Sequence, residues 1–330
     1  MRYDKDSGFV ALGASELRGA AAGGGRGPTA LAPALVGGAS AADVEAWQRG
    51  AAGLPEEGAS RLAKAAARLA SPFRLVELCL SPVEDRPTRL YYAWPEGASR
   101  VAVLAPSGSG FVLGLRTGAD LVATVQGALG LSAPFVGSDV RTPLDGRAVL
   151  ALAGLLDELR AARLRAELAH RRPRGSATAA DVAARLVDAR AQDPRWPLCS
   201  LEKVLPFDIA AAADEPSVGS SLDRLAAAGL VVVTEASGAM PALYSPSATL
   251  EPLVGEAMRG VSHAALTVYE PAGPAVAYES ALLVRGPVSL WLLSLAPQGG
   301  GVASLGPAGA TRFLERLVKR PAGAPAPAAA

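Results

Sequence analysis

Between residues 40 and 131 the hydrophobic positions change period twice. "SAADVEAW" and "PEEGASRLAKAAARLA" space their apolar residues three to four apart, placing Leu62, Ala66 and Leu69 on one helical face. Ser40 and Asp43 stand at the spacing of a capping box, which satisfies two free amides at a helix start. After Pro72 the period drops to two: "FRLVELCL" alternates Arg74, Val76, Leu78 and Leu80 against Leu75, Glu77 and Cys79. "RLYYAW", "RVAVLA" and "FVLGLR" follow, separated by Pro/Gly/Ser breaks of the kind that turn hairpins, and a four-stranded antiparallel meander is predicted. "TGADLVATVQGAL" then returns to helical spacing behind Thr117. The first sixty residues read as short helices throughout.

About 190 residues after "ARLASPFRLVELCL", the stretch "AMRGVSHAALTVYE" makes the same switch from helix to strand. "VAYESALLVR", "VSLWLLSLA" and "GVASLGPAGATRFLERLV" then repeat the order of strands and closing helix. The expected fold is α+β, with two pseudo-repeated halves, each of helices plus a four-stranded meander. Joining the halves about a pseudo-two-fold axis would cover one edge of each sheet. "VSLWLLSLA", apolar on both alternating faces, is the expected central strand. The expected divisions are an N-terminal half at 1–131, a linker at 132–146 and a C-terminal half at 147–320. A winged-helix-like segment at 178–246 lies inside the second half. The Pro/Ala-rich residues 321–330 read as a disordered tail.

Composition narrows the function more than it names it. Of 330 residues, 32 are basic and 31 acidic, so no global field draws the chain to nucleic acid or an acidic membrane. Neither a signal pattern at "MRYDKDSG" nor an apolar run of spanning length is found, and a cytoplasmic protein is expected. Cys79 and Cys199 have no CxxC partner and read as buried free thiols.

Local motifs are mostly structural. "SSLDRLAAAGLVVVTEASGAMPALYSPS" has the helix–strand–turn–strand order of a winged helix, but from Val204 to Met258 seven acids face Arg224 alone. Such a surface repels phosphates, so the element reads as structural or protein-binding. "LRAARLRAELAHRRPRG" carries Arg160, Arg163, Arg165, Arg171, Arg172 and Arg174, with Asp157, Glu158 and Glu167 placed to pair on the same helix; it reads first as a solvated face. "AAAGGGRGPTAL" lacks the Gly-Lys-Ser/Thr end of a phosphate loop, and "PSGSGF" precedes a strand rather than a helix. His170 and His263 have no second ligand at metal spacing, and no GxSxG elbow accompanies them. The carboxylate pairs at 56–57 and 157–158 sit side by side on helices and point apart. Neither a catalytic set, a cofactor nor a metal site is expected.

Aromatics beside loops remain. Trp94 closes a strand before "PEGAS", and Trp196 lies in "DPRWPL". In the loop 94–99, whose counterpart 285–287 is shorter, Trp94 is the candidate apolar anchor for a protein partner and Glu96 the candidate rim charge.

The run "VEAWQRGAAGL…SRLAKAAARLASPFRLVELCL…RLYYAW…RVAVLA…GFVLGLRTGADLVATVQGAL" is similar in element order to the EspG family, cytosolic chaperones of type VII (ESX) secretion in actinobacteria. The resemblance covers residues 40–130 best and 220–318 loosely. It implies a pseudo-two-fold α+β fold with a central sheet flanked by helical bundles, binding of secreted PE–PPE substrates, and no catalytic site. The long helix "GRAVLALAGLLDELRAARLRAELAHRR" and the acidic winged element depart from the family pattern, and no short motif transfers a binding residue. The expected function is a non-enzymatic protein-binding chaperone or adaptor for secretion substrates. The alternative is a winged-helix DNA-binding regulator whose basic helix, 159–174, meets DNA.

Overall fold

The computed structural model describes residues 1–22, 39–82, 86–95, 99–193, 195–235, 237, 240–257, 262–272 and 275–319. Glu96, the tail 321–330, residues 23–31 of the glycine-rich loop and the wing turn at Gly238 lie outside the described residues.

The chain opens on strands where short helices were expected: β1 (Arg2–Asp4) and β2 (Phe9–Leu12) form a hairpin, and Gly8 at φ 70° helps turn it. Four residues are too few to show a period in the sequence; pairing with the sheet makes this segment a strand. Helices α1 (Ala14–Ala22), α2 (Ala41–Ala52) and α3 (Glu56–Ala70) follow. α2 begins on the capping box between Ser40 and Asp43, and Asp43 also receives Arg18 at 3.0 Å. The expected meander is β3 (Arg74–Ser81), β4 (Thr88–Trp94), β5 (Arg100–Ser107) and β6 (Gly110–Thr117), closed by α4 (Gly118–Ala128) behind a Thr117–Asp120 capping box.

Residues 132–146, expected to be linker, contain the edge strand β7 (Arg141–Leu144). Pro143 hid it, because proline suits only the rim of a sheet. The long α5 (Gly146–Leu168) leads to α6 (Ala179–Val187), α7 (Pro197–Val204) and α8 (Glu215–Ala227). A two-stranded hairpin, β8 (Val231–Thr234) with β9 (Leu243–Pro246), follows α8, and Ala177 bridges to Tyr244 beside it. After α9 (Glu251–Ala257) come β10 (Ser262–Ala272), β11 (Ala275–Arg285), β12 (Leu290–Ala296), β13 (Gly299–Ser304) and α10 (Pro307–Lys319).

Among the described residues, eleven strands form one antiparallel sheet in the order β1-β2-β6-β5-β4-β3-β10-β11-β12-β13-β7. The two meanders meet at β3 and β10, where Val76 faces Val268 and Leu78 faces Leu266. This seam, rather than β12, is the centre. All eight residues of β3 are buried, whereas Leu292 and Ser294 of β12 are only partly covered.

The ladders on either side of the seam match. Val76, Tyr92, Val103 and Gly114 are successive cross-strand partners from β3 to β6. Ala264, Leu283, Leu292 and Ala303 are the corresponding partners from β10 to β13. Each ladder lies on the face covered by α4 and α10, whose Leu121, Val125, Phe313 and Leu317 pack on the seam. The opposite face is shared between two helical groups. Leu17, Leu62 and Leu69 from α1 and α3 cover the first half, while α5 to α9 cover the second over Ala265, Leu282 and Leu293.

A candidate protein-binding surface

The expected anchor, Trp94, is a core side chain. It is 9% exposed, belongs to the cluster under α4 and α10, and tilts against Tyr92 with ring centroids 6.0 Å apart. An anchor must offer area to its partner, and this indole has already spent its area on the fold. Glu96 lies outside the described residues.

The basic stretch divides at the end of α5: Arg160, Arg163 and Arg165 on the helix are engaged, while Arg171, Arg172 and Arg174 beyond it are exposed. Arg163 pairs with Glu167 at 2.7 Å and Arg165 with Glu158. Arg160 stacks over the half-buried Trp196, its carbon 4.7 Å from the ring centre, and Arg185 covers the same indole at 5.7 Å. Asp157 and Glu158 diverge: Asp157 accepts from the amide of Leu198 at 3.0 Å, while Glu158 accepts from Arg185 at 2.7 Å. Burial pushes Asp157 up to about 7, although the Leu198 amide, Arg160 and Arg185 favour its ionised form.

One pairing was not legible in the sequence. Ser200 Oγ on α7 lies 2.9 Å from His263 Nε2 on β10, with Cys79 Sγ 3.6 Å from the same hydroxyl. A serine nucleophile needs solvent and substrate, and both Ser200 and His263 are fully shielded. The group is a polar link between helix and sheet. Both cysteines are free and buried, and burial raises both thiols, Cys199 to about 11, which suppresses thiolate chemistry. Among the described residues no cluster of His, Cys, Asp or Glu could hold a metal ion, and no helix is long and apolar enough to cross a membrane.

Among the described residues, two surface concavities are large enough to take a side chain. One, of about 490 Å³, is lined by charges of both signs, including Arg89, Lys203, Glu202 and Asp208, and its Arg89 is already bound to Glu77 at 2.6 Å. The other, of about 380 Å³, runs along α10 over the outer strands β12 and β13. Leu292, Ala303, Leu305 and Phe313 form its apolar lining. Arg141, Arg312 and Arg316 line it too, against a single acid, Glu279. Arg316 stands 3.4 Å from Glu279 and stacks on Phe313 at 5.5 Å. This groove explains why "VSLWLLSLA" is apolar on both faces although β12 is not central. Leu293 points into the core and Leu292 lines the groove.

Such a surface, apolar at its floor and charged at its rim, has the composition of a protein interface. The fold is similar to that of a solved protein over nearly its whole length. The structure of the Mycobacterium tuberculosis type VII secretion system chaperone EspG5 in complex with PE25-PPE41 dimer aligns over 96% of this chain and 98% of that one, at 12% identity and a TM-score of 0.47. No family model matches the sequence, and no curated protein does.

Proposed function

We propose that the chain is a non-enzymatic, protein-binding chaperone or adaptor of the cytoplasm, with secreted proteins as its clients. The observation that carries this reading is the groove along α10, whose floor is apolar and open while the core clusters on either face of the sheet are covered by the chain's own helices. The groups that could have argued for chemistry lie elsewhere: the Ser200–His263 pair is sealed in the core and the acids of α5 are tied to backbone and arginine. The similarity of the 40–130 pattern to the EspG family directs the proposal toward secretion clients in particular.

The test is reconstitution. Secreted proteins encoded beside this chain are co-expressed with it, and the products are separated by size-exclusion chromatography with light scattering. A client that is insoluble alone and elutes with this chain in a fixed ratio supports the proposal. Clients that stay soluble alone and never co-elute would sink it.

A further inference from the structure

The two halves of the sheet differ at the outer end of each ladder, and that difference says what the groove is shaped to receive. In the first half, the ladder on the α4 face ends at Gly114, and the ring of Phe9 on β2 lies directly over it. A Cβ at Gly114 would fall 2.6 Å from that ring. Arg116 stacks on the ring at 4.2 Å and donates to the carbonyl of Ser7 at 3.0 Å. An aromatic side chain clamped by a guanidinium thus closes the first half.

In the second half the ladder ends at Ala303, and its neighbour on the edge strand β7 is Arg141. The floor is as apolar as before, with Leu292 where the first half has Val103. The edge strand brings no ring. The space is the 380 Å³ groove, and two arginines stand on its α10 side. Arg316 is partly occupied by Glu279, while Arg312 is exposed. Arg312 thus brings an exposed cation to the mouth of an apolar groove.

We propose that this groove seats an aromatic side chain supplied by a protein partner, with an acidic group of the same segment meeting Arg312. The inference rests on the protein-binding reading above and deepens it by naming the chemistry of the contact. The ring supplies the buried apolar area that dominates interface energetics, and the neighbouring arginines favour both its face and a nearby carboxylate. The volume suits one large side chain and its neighbours rather than a whole helix, so the partner would present an exposed aromatic residue on a turn or a helix end.

The groove can be tested without the partner. Ligand-observed NMR with 3-phenylpropionate, which carries a ring and a carboxylate, should show saturable binding with Kd of about a millimolar, as expected for a fragment of this size. 3-Phenylpropanol, lacking the charge, should bind roughly threefold more weakly. Arg312→Ala, a change at an exposed position, should remove that preference. Ala303→Phe places a ring on the groove floor from within and should abolish binding of both probes, with circular dichroism reporting whether the variant is folded. If Ala303→Phe does not fold, the loss of the acid's preference in Arg312→Ala decides alone. Absence of saturable binding, equal binding of the two probes, or binding that survives a folded Ala303→Phe would each overturn the proposal. A client captured through another surface would leave the chaperone reading standing while these probes fail, so the two ideas can fall separately.

Discussion

β3, at the seam with β10, and β12, at the corner with β13, are the same kind of strand, with apolar residues on both faces, yet the seam is covered on both and the corner opens on one. At the seam, Leu78 and Leu266 are buried under α4 and α10, while Cys79 and Ala265 are buried under the second helical group. At the corner, Leu293 is buried and Leu292 stands half open in a groove. Apolar alternation therefore reports that a face is to be covered, and it leaves open whether the chain or another molecule covers it. Charges differ in the same way. Arg74 at the seam is 4% exposed and held by Glu270 at 2.6 Å and the carbonyl of Leu317 at 2.9 Å. Arg312 at the corner stands in solvent.

The contrast can be broken or sharpened by four measurements. Trp94→Ala removes a ring from the seam cluster and should cost about 3–5 kcal/mol in urea unfolding, because the surroundings cannot collapse into the space. A cost below about 1 kcal/mol would return Trp94 to the surface and restore its expected role as an anchor.

Arg74→Met should cost about 3 kcal/mol, since it strands Glu270 and a carbonyl of α10 while leaving most of the packing in place. A neutral result would mean that the first half does not depend on this link to β10 and α10.

Asp157 offers a reading of burial through a proton. Its ordinary value is 3.8 and the fold raises it to about 7, so between those values the native state binds more protons than the unfolded one. Stability should then fall as pH rises through that window and level off above it. Asp157→Asn keeps an oxygen for the Leu198 amide and should flatten the slope. At pH 8 it should be more stable than the parent by roughly 1–3 kcal/mol, the two converging near pH 4. Parallel pH profiles would show that the α5–α7 interface is wetter than its packing implies.

Leu292→Ala should be the mildest change, about 1 kcal/mol, because only part of the side chain is withdrawn from water. A cost comparable to that of Trp94→Ala would close the gap between seam and corner.

Much of this arrangement was readable in the residues. The period switch at Pro72, the hairpin breaks and the helix starts at Ser40 and Thr117 mark elements that the structure contains, because caps and alternation are local physics. The miscounted elements were short and non-local. Phe9–Leu12 and Arg141–Leu144 are strands of four residues whose pairing comes from distant partners. The central strand was misplaced because "VSLWLLSLA" and "FRLVELCL" carry the same two-faced signal for different reasons. Trp94 was read from its flanking proline, whereas its burial comes from the cluster under α4 and α10, with Val318 of α10 across Gly118 beside it. The groove is assembled from β7, β11, β12, β13 and α10, and no window of sequence contains them together.

The seam also sets a timetable for synthesis. Val76 and its partner Val268 are some 190 residues apart along the chain. At a ribosomal rate of about 5–20 residues per second, β3 waits on the order of 10–40 s for β10 to emerge. During that wait β3, the most thoroughly buried strand of the first half, stands as an unpaired edge with apolar side chains, the kind of template to which stray strands add. A first half expressed alone would carry that edge permanently.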